Sequence, residues 1–199
     1  MNKTIKRLAL TGMLSLSSLG LSGLAQAADN YKIDIEGMHA AIEFRVKHLG
    51  FSWNVGRFNE FDGNFTYDEQ NPENNTVTVN INVASLDSNH AERDKHLRDP
   101  RFFNVDKYPT AKFVSTGYKD LGEGKAELTG DLTLMGVTKP VSIDVTQVGA
   151  GNDPWGGYRR GFTGTTQLNL SDYKMAKAAL LGPSAENVEL VLFIEGIKQ

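Results

Sequence analysis

No cysteine occurs among the 199 residues, which excludes a disulfide scaffold, a lipidated-cysteine anchor and a thiolate metal centre. Histidine is sparse as well. His39 and His48 are nine apart across one strand and so face opposite ways, while His90 and His96 are six apart and poorly placed for a shared site. With no HExxH pattern and no carboxylate–histidine ladder, no metal site is expected. No GxSxG elbow, acid pair or cofactor fingerprint is present, so no catalytic residue is assigned. The glycine-rich stretches 122–124 and 149–157 do not join a parallel strand to a helix and read as turns, not phosphate loops. Positive charge is not in excess either. The formal net charge is −3 and no basic patch interleaves with aromatics, which excludes nucleic acid as a partner.

What is present begins with a leader. Lys3, Lys6 and Arg7 precede an apolar run over 8–24, and Ala25-Gln26-Ala27 is a small-x-small cleavage site. Residues 1–27 therefore read as a secretory signal peptide, since the run is short for a retained membrane span. Removing 27 of 199 residues leaves 172, and losing three basic groups takes the formal charge from −3 to −6. Residues 28–199 suffice for one domain that buries roughly 70% of its unfolded surface. Export, absence of disulfides and an acidic unanchored domain point to a bacterial periplasm.

The mature chain alternates. In 126–148, Ala126, Leu128, Gly130, Leu132 and Leu134 share one parity, and Val141, Ile143 and Val145 repeat it after a turn expected over 135–140. One wet and one apolar face in successive strands indicate antiparallel pairing. The same signature covers 40–49, 56–67, 76–83, 111–118 and 160–170. In the final strand, 188–197, both faces are apolar and both are expected to be covered. Alternation stops at 89–98, where Asn89 and Glu92 form a capping-box pair for a short helix. That helix is too polar to cover a sheet and is expected to plug or flank one end, packing Leu97, Phe102 and Phe103. Residues 172–183 read as a short helix or a lid-like loop. Eight or more strands with one helical excursion leave two architectures open, a sandwich or a closed barrel.

Several segments occur in order, among them His39-Ala40-Ala41-Ile42-Glu43-Phe44, Gly56-Arg57-Phe58, Phe61-Asp62-Gly63, Arg93-Asp94-Lys95-His96-Leu97, the run 102–109 and Gly130-Asp131-Leu132-Thr133-Leu134-Met135-Gly136. Together they resemble the YceI family of periplasmic proteins. The resemblance implies an all-β fold, a single antiparallel lipocalin-like β-barrel with an interior tunnel that in some members holds a long polyisoprenoid. The tunnel wall is then expected from the in-phase residues Ile42, Phe44, Val46, Val79, Ile81, Phe113, Leu128, Leu132, Ile143, Leu168, Leu190 and Leu192, with His48 as a polar contact inside or at the rim. A sealed core shows the same periodicity, so the residues alone leave both readings open. Asp172, Tyr173 and Lys174 are expected at the tunnel mouth. Lys174 stands where the family pattern has glycine, and there it is expected to favour an anionic or quinone-type headgroup.

An isoprenoid tail offers nothing to hydrogen-bond, so its receptor needs a long apolar lining and at most a polar contact at one end. The phenylalanines Phe44, Phe51, Phe58, Phe61 and Phe65 suit such a lining, because flat rings leave space that interlocked leucines fill. The adjacent Arg159-Arg160 reads as solvated surface, with an anionic headgroup as the other reading. The expected function is carriage or sequestration of a polyprenyl or quinone-type lipid, with no other cofactor and no stable membrane insertion; a homodimer is left open. The alternatives are an enzyme or accessory factor acting on an isoprenoid quinone, and a sealed-core stress-related interaction domain.

Overall fold

Alternating segments become strands because each offers one apolar face to a shared interior. The computed structural model describes residues 28–175 and 186–199; residues 1–27 and 176–185 lie outside them. The elements are β1 (Asp29–Ile33), β2 (Ala41–His48), β3 (Ser52–Phe58), β4 (Phe61–Tyr67), β5 (Val77–Asn82), β6 (Leu86–Asp87), α1 (Ala91–Arg98), β7 (Thr110–Gly122), β8 (Lys125–Leu134), β9 (Val137–Asn152), β10 (Tyr158–Asn169) and β11 (Asn187–Lys198). Strands β1, β4, β5, β7, β8, β9, β10 and β11 neighbour one another in that order, and β11 pairs back onto β1. That closes an antiparallel barrel of eight positions.

The remaining strands extend three of those positions. The edge of β11 gives residues 188–193 to β2 and 196–198 to β1, so β1 and β2 form successive halves of one interrupted stave. By the same logic β4 continues β3, since β4 pairs with β1 while β3 pairs with β2. β5 and β6 complete the third broken stave, against β4 and β3 respectively. Beyond β6 the wall is not carried on to β7. Helix α1 sits against β6 there, and Leu97 with Phe102 and Phe103 of the segment after it face the interior, as expected of a helix that flanks one end.

Local chemistry refines the sequence reading at four points. The β8–β9 turn is confined to Met135 (φ 51°) and Gly136 (φ 70°), flanked by the pair Leu134 and Val137, a two-residue hairpin with both central residues left-handed. Pro140 therefore lies within β9, opposite Asp131. It is tolerated because β10 pairs with β9 only over 144–152, leaving the proline's other edge unpaired. Residues 149–152 likewise belong to β9, and the turn that follows spans 153–157. Helix α1 is capped by His90, whose ring nitrogen accepts the Arg93 N–H at 3.1 Å; Asn89 instead adopts φ 59° before it. On β11 the outward Val191 is buried but Phe193 is 41% exposed, so the outer face is covered only in part.

Candidate functional site

The inward faces do not meet everywhere across the barrel. A cavity of about 150 Å³ lies at the α1 end, lined by residues including Ile42, Phe44, Val46, Phe58, Leu97, Phe102, Phe103, Leu168 and Val188. A second, of about 130 Å³, occupies the other half, lined by residues including Val79, Phe113, Tyr118, Leu128, Ile143, Phe162, Leu192 and Ile194. Ile42, Ile81, Leu132 and Leu190 line both and form a waist between them. All twelve apolar residues singled out from periodicity thus sit on one cavity or the other. His48 does not. It is exposed at the end of β2, because alternation there runs past the barrel rim.

Three glycine–aromatic pairs shape the hollow. A Cβ on Gly56 would strike the tip of the Phe44 ring, one on Gly130 the tip of Phe113, and one on Gly196 the edge of Phe65. Each ring therefore lies back against the wall, in space that any other residue would fill. Glycines covered by aromatic rings are a known device for curved sheets. Here the pairing also keeps three large side chains from projecting across the lumen.

The two ends differ in polar chemistry. At the α1 end, Asn54, Ser88 and Arg93 line the first cavity. Arg93 Nε donates to Ser88 Oγ at 2.7 Å and another of its nitrogens to Asn54 Oδ1 at 3.1 Å, while buried Asp94 accepts the Ser88 N–H at 3.0 Å. At the opposite end, Arg160 is buried on the inward face, its guanidinium 3.7 Å from the Tyr67 ring centre and bonded to Gln147 Oε1 at 3.0 Å. Burial pushes the Tyr118 hydroxyl up to about 12 and raises that of Tyr67. The reading of Arg159-Arg160 as solvated surface is thus corrected. Arg160 shares parity with Phe162, Gly164 and Leu168, a signal in the sequence that its charge masks.

Comparison with known proteins decides the family. Residues 31–195 match the YceI-like domain. The chain belongs to that family. A UPF0312 protein of Pseudomonas paraeruginosa is 56% identical over 199 residues, covering 100% of both chains. One from Azotobacter vinelandii is 50% identical over the same 199 residues and 100% of both chains. Among solved structures, the Campylobacter jejuni YCEI protein superposes with a TM-score of 0.69 at 27% identity, covering 77% of this chain and 90% of its own. A polyisoprenoid binding domain from Saccharophagus degradans superposes at 0.60 with 14% identity, covering 85% of this chain and 98% of its own, which speaks to the fold alone.

In this YceI-like barrel the segment before the last strand borders the first cavity through Leu170 and Met175. Asp172 and Tyr173 line a separate polar depression on the outside, against β9 and β10, with Tyr173 buried and Asp172 exposed. Lys174 is exposed with φ 64°, the left-handed region that favours glycine, which gives a backbone reason for the family residue.

Where β11 closes on β1, the YceI-like domain carries an ion network. Arg159 reaches Asp34 at 2.6 Å, Asp153 at 2.8 Å and Glu195 at 2.5 Å, and Asp34 also binds His39 Nδ1 at 2.9 Å. Asp34, His39 and Glu195 are the one group among the described residues close enough to share a metal ion, but Arg159 already sits on both carboxylates. The His39 hydrogen bond, with Arg159 and the Gly37 N–H, outweighs burial and holds the Asp34 carboxyl at about 2. A depressed folded pKa contributes stability that is complete above the unfolded value near 4 and lost as pH falls through 2. Its size is about 2 kcal/mol. Denaturant unfolding at pH 5 and pH 2 should therefore show a smaller loss in Asp34→Asn than in the parent; equal losses would rule the network out as the source.

Proposed function

We propose that this YceI-like protein is a periplasmic carrier that holds an isoprenoid lipid inside its barrel. The apolar void carries the reading. At about 24 cal/mol per Å³, cavities of 150 and 130 Å³ forgo about 7 kcal/mol of packing. Domain stability as a whole is only about 5–15 kcal/mol. A few larger side chains would recover much of that loss, so a hollow kept open by glycines is best explained by a guest that fills it. Apolar cavities near this size stay dry and accept hydrocarbon. The lining has no charge along its middle, which suits a methylated, unsaturated chain better than a fatty acid buried head first. The description of the Saccharophagus domain as polyisoprenoid-binding agrees with this choice. The leader over 1–27 supports a periplasmic address, and no helix among the described residues is long and apolar enough to cross a membrane.

The test is organic extraction and mass spectrometry of protein purified from a bacterial periplasm without detergent. A prenyl lipid at close to one per chain is expected. An empty extract, together with failure to take up geranylgeraniol afterwards, would overturn the proposal.

A further inference from the structure

The tunnel has a direction. We propose that Arg93 is the headgroup subsite: it binds an acceptor oxygen (phosphate, carboxylate or carbonyl) on the polar end of the chain, while the tail runs past Leu132 into the second cavity. This rests on the carrier reading and adds to it.

Arg93 is half-buried and lines a cavity otherwise almost wholly apolar. Its guanidinium makes three hydrogen bonds, to Ser88 Oγ, Ser88 O and Asn54 Oδ1, all of them neutral acceptors. A guanidinium has five N–H donors, so two have no partner among the described residues. No carboxylate lies within ion-pair distance of it there, and the undescribed stretches 1–27 and 176–185 contain no Asp or Glu to supply one. Asp94 is spent on Ser88, accepting both its N–H and its hydroxyl. The effect is to fix Ser88, and through it the fork of Arg93, without neutralising the arginine directly. A fixed, half-desolvated guanidinium with spare donors at the end of an oil-filled tube is suited to an oxygen acceptor.

The other end offers less. Arg160 is covered by the Tyr67 ring and bonded to Gln147, and it does not line the second cavity. The amide nitrogen of Asn75, a residue that lines the second cavity, also lacks a partner among the described residues, but it is a neutral donor and makes a weaker hydrogen bond to an acceptor oxygen than a guanidinium does.

Arg93→Met keeps the stem and removes the donors. Its affinity is compared with the parent's for three probes: geranylgeranyl monophosphate, a short-tailed prenyl benzoquinone and squalene, which has no headgroup. Binding of the two oxygen-bearing probes should weaken at least tenfold, with squalene unchanged within twofold. A larger loss for the phosphate identifies an oxyanion ligand, and equal losses a neutral acceptor. Arg93→Lys, which preserves charge but not the fork, should show the same pattern at smaller amplitude and serves if the methionine variant does not fold. Unchanged binding of all three probes would overturn the proposal, as would a selective loss in Tyr118→Phe in place of Arg93→Met. Failure of the parent to bind any probe would instead sink the carrier reading itself.

Discussion

Leu132→Trp is expected to abolish high-affinity binding of a long prenyl chain while leaving the barrel folded. Leu132 is buried on β8 and faces both cavities, with Ile42, Ile81 and Leu190 completing the waist. An indole there blocks the waist at which the two cavities meet and keeps them as two short compartments. A chain cut off at the waist loses burial of about five methylene equivalents, at about 0.8 kcal/mol each. That amounts to about 4 kcal/mol, or roughly a thousandfold in Kd. Overpacking a dense core costs about 1–3 kcal/mol, but the voids on either side give the ring somewhere to go, so the lower end applies. Titration with geranylgeraniol measures the effect, and toluene is the control, since a guest of that size needs only one compartment. Equal losses for both ligands would mean that the variant had collapsed and not divided the tunnel.

Gly130→Ala is expected to destabilise the domain by about 2–3 kcal/mol, a Tm decrease of about 4–12 °C for a chain this size. The added Cβ would lie 2.6 Å from the Val114 carbonyl oxygen, which belongs to the neighbouring strand, as well as against the Phe113 ring. The ring can swing away only into the second cavity, which it already lines. Ligand affinity should therefore fall together with stability. Gly149→Ala is the matched control, because nothing lies within 4 Å of a Cβ at that position. A thermal melt and a ligand titration on both variants separate the cases. A Gly130→Ala variant indistinguishable from the parent would mean that the ring is not held against the wall by the glycine.

Strand parity made most of the lumen legible in advance. Each residue from Ile42 to Leu192 in the expected wall was marked by its neighbours' polarity, and period two fixes which side faces in. Parity failed where the stave ends, as at His48, since alternation continues into solvent without any change of composition. It also failed where a charged residue holds an inward position. Arg160 is in phase with Phe162 and Leu168, yet its charge argues for the surface until Tyr67 and Gln147 are seen beside it. Arg93 carries no periodic signal at all, because its inward direction comes from how α1 docks against β6. The hollow itself was beyond reach of the sequence. A packed interior and an empty one share one pattern, and only the pairing of Gly56 with Phe44, or of Gly130 with Phe113, separates them.

The most direct measurement is a crystal structure of the mature protein loaded with geranylgeraniol or its natural lipid. One unbroken tube of ligand density is expected, entering beside Arg93, passing Leu132 and ending near Tyr118. Side chains closed across the waist, with any bound lipid confined to one half or lying on the outer surface, would contradict it.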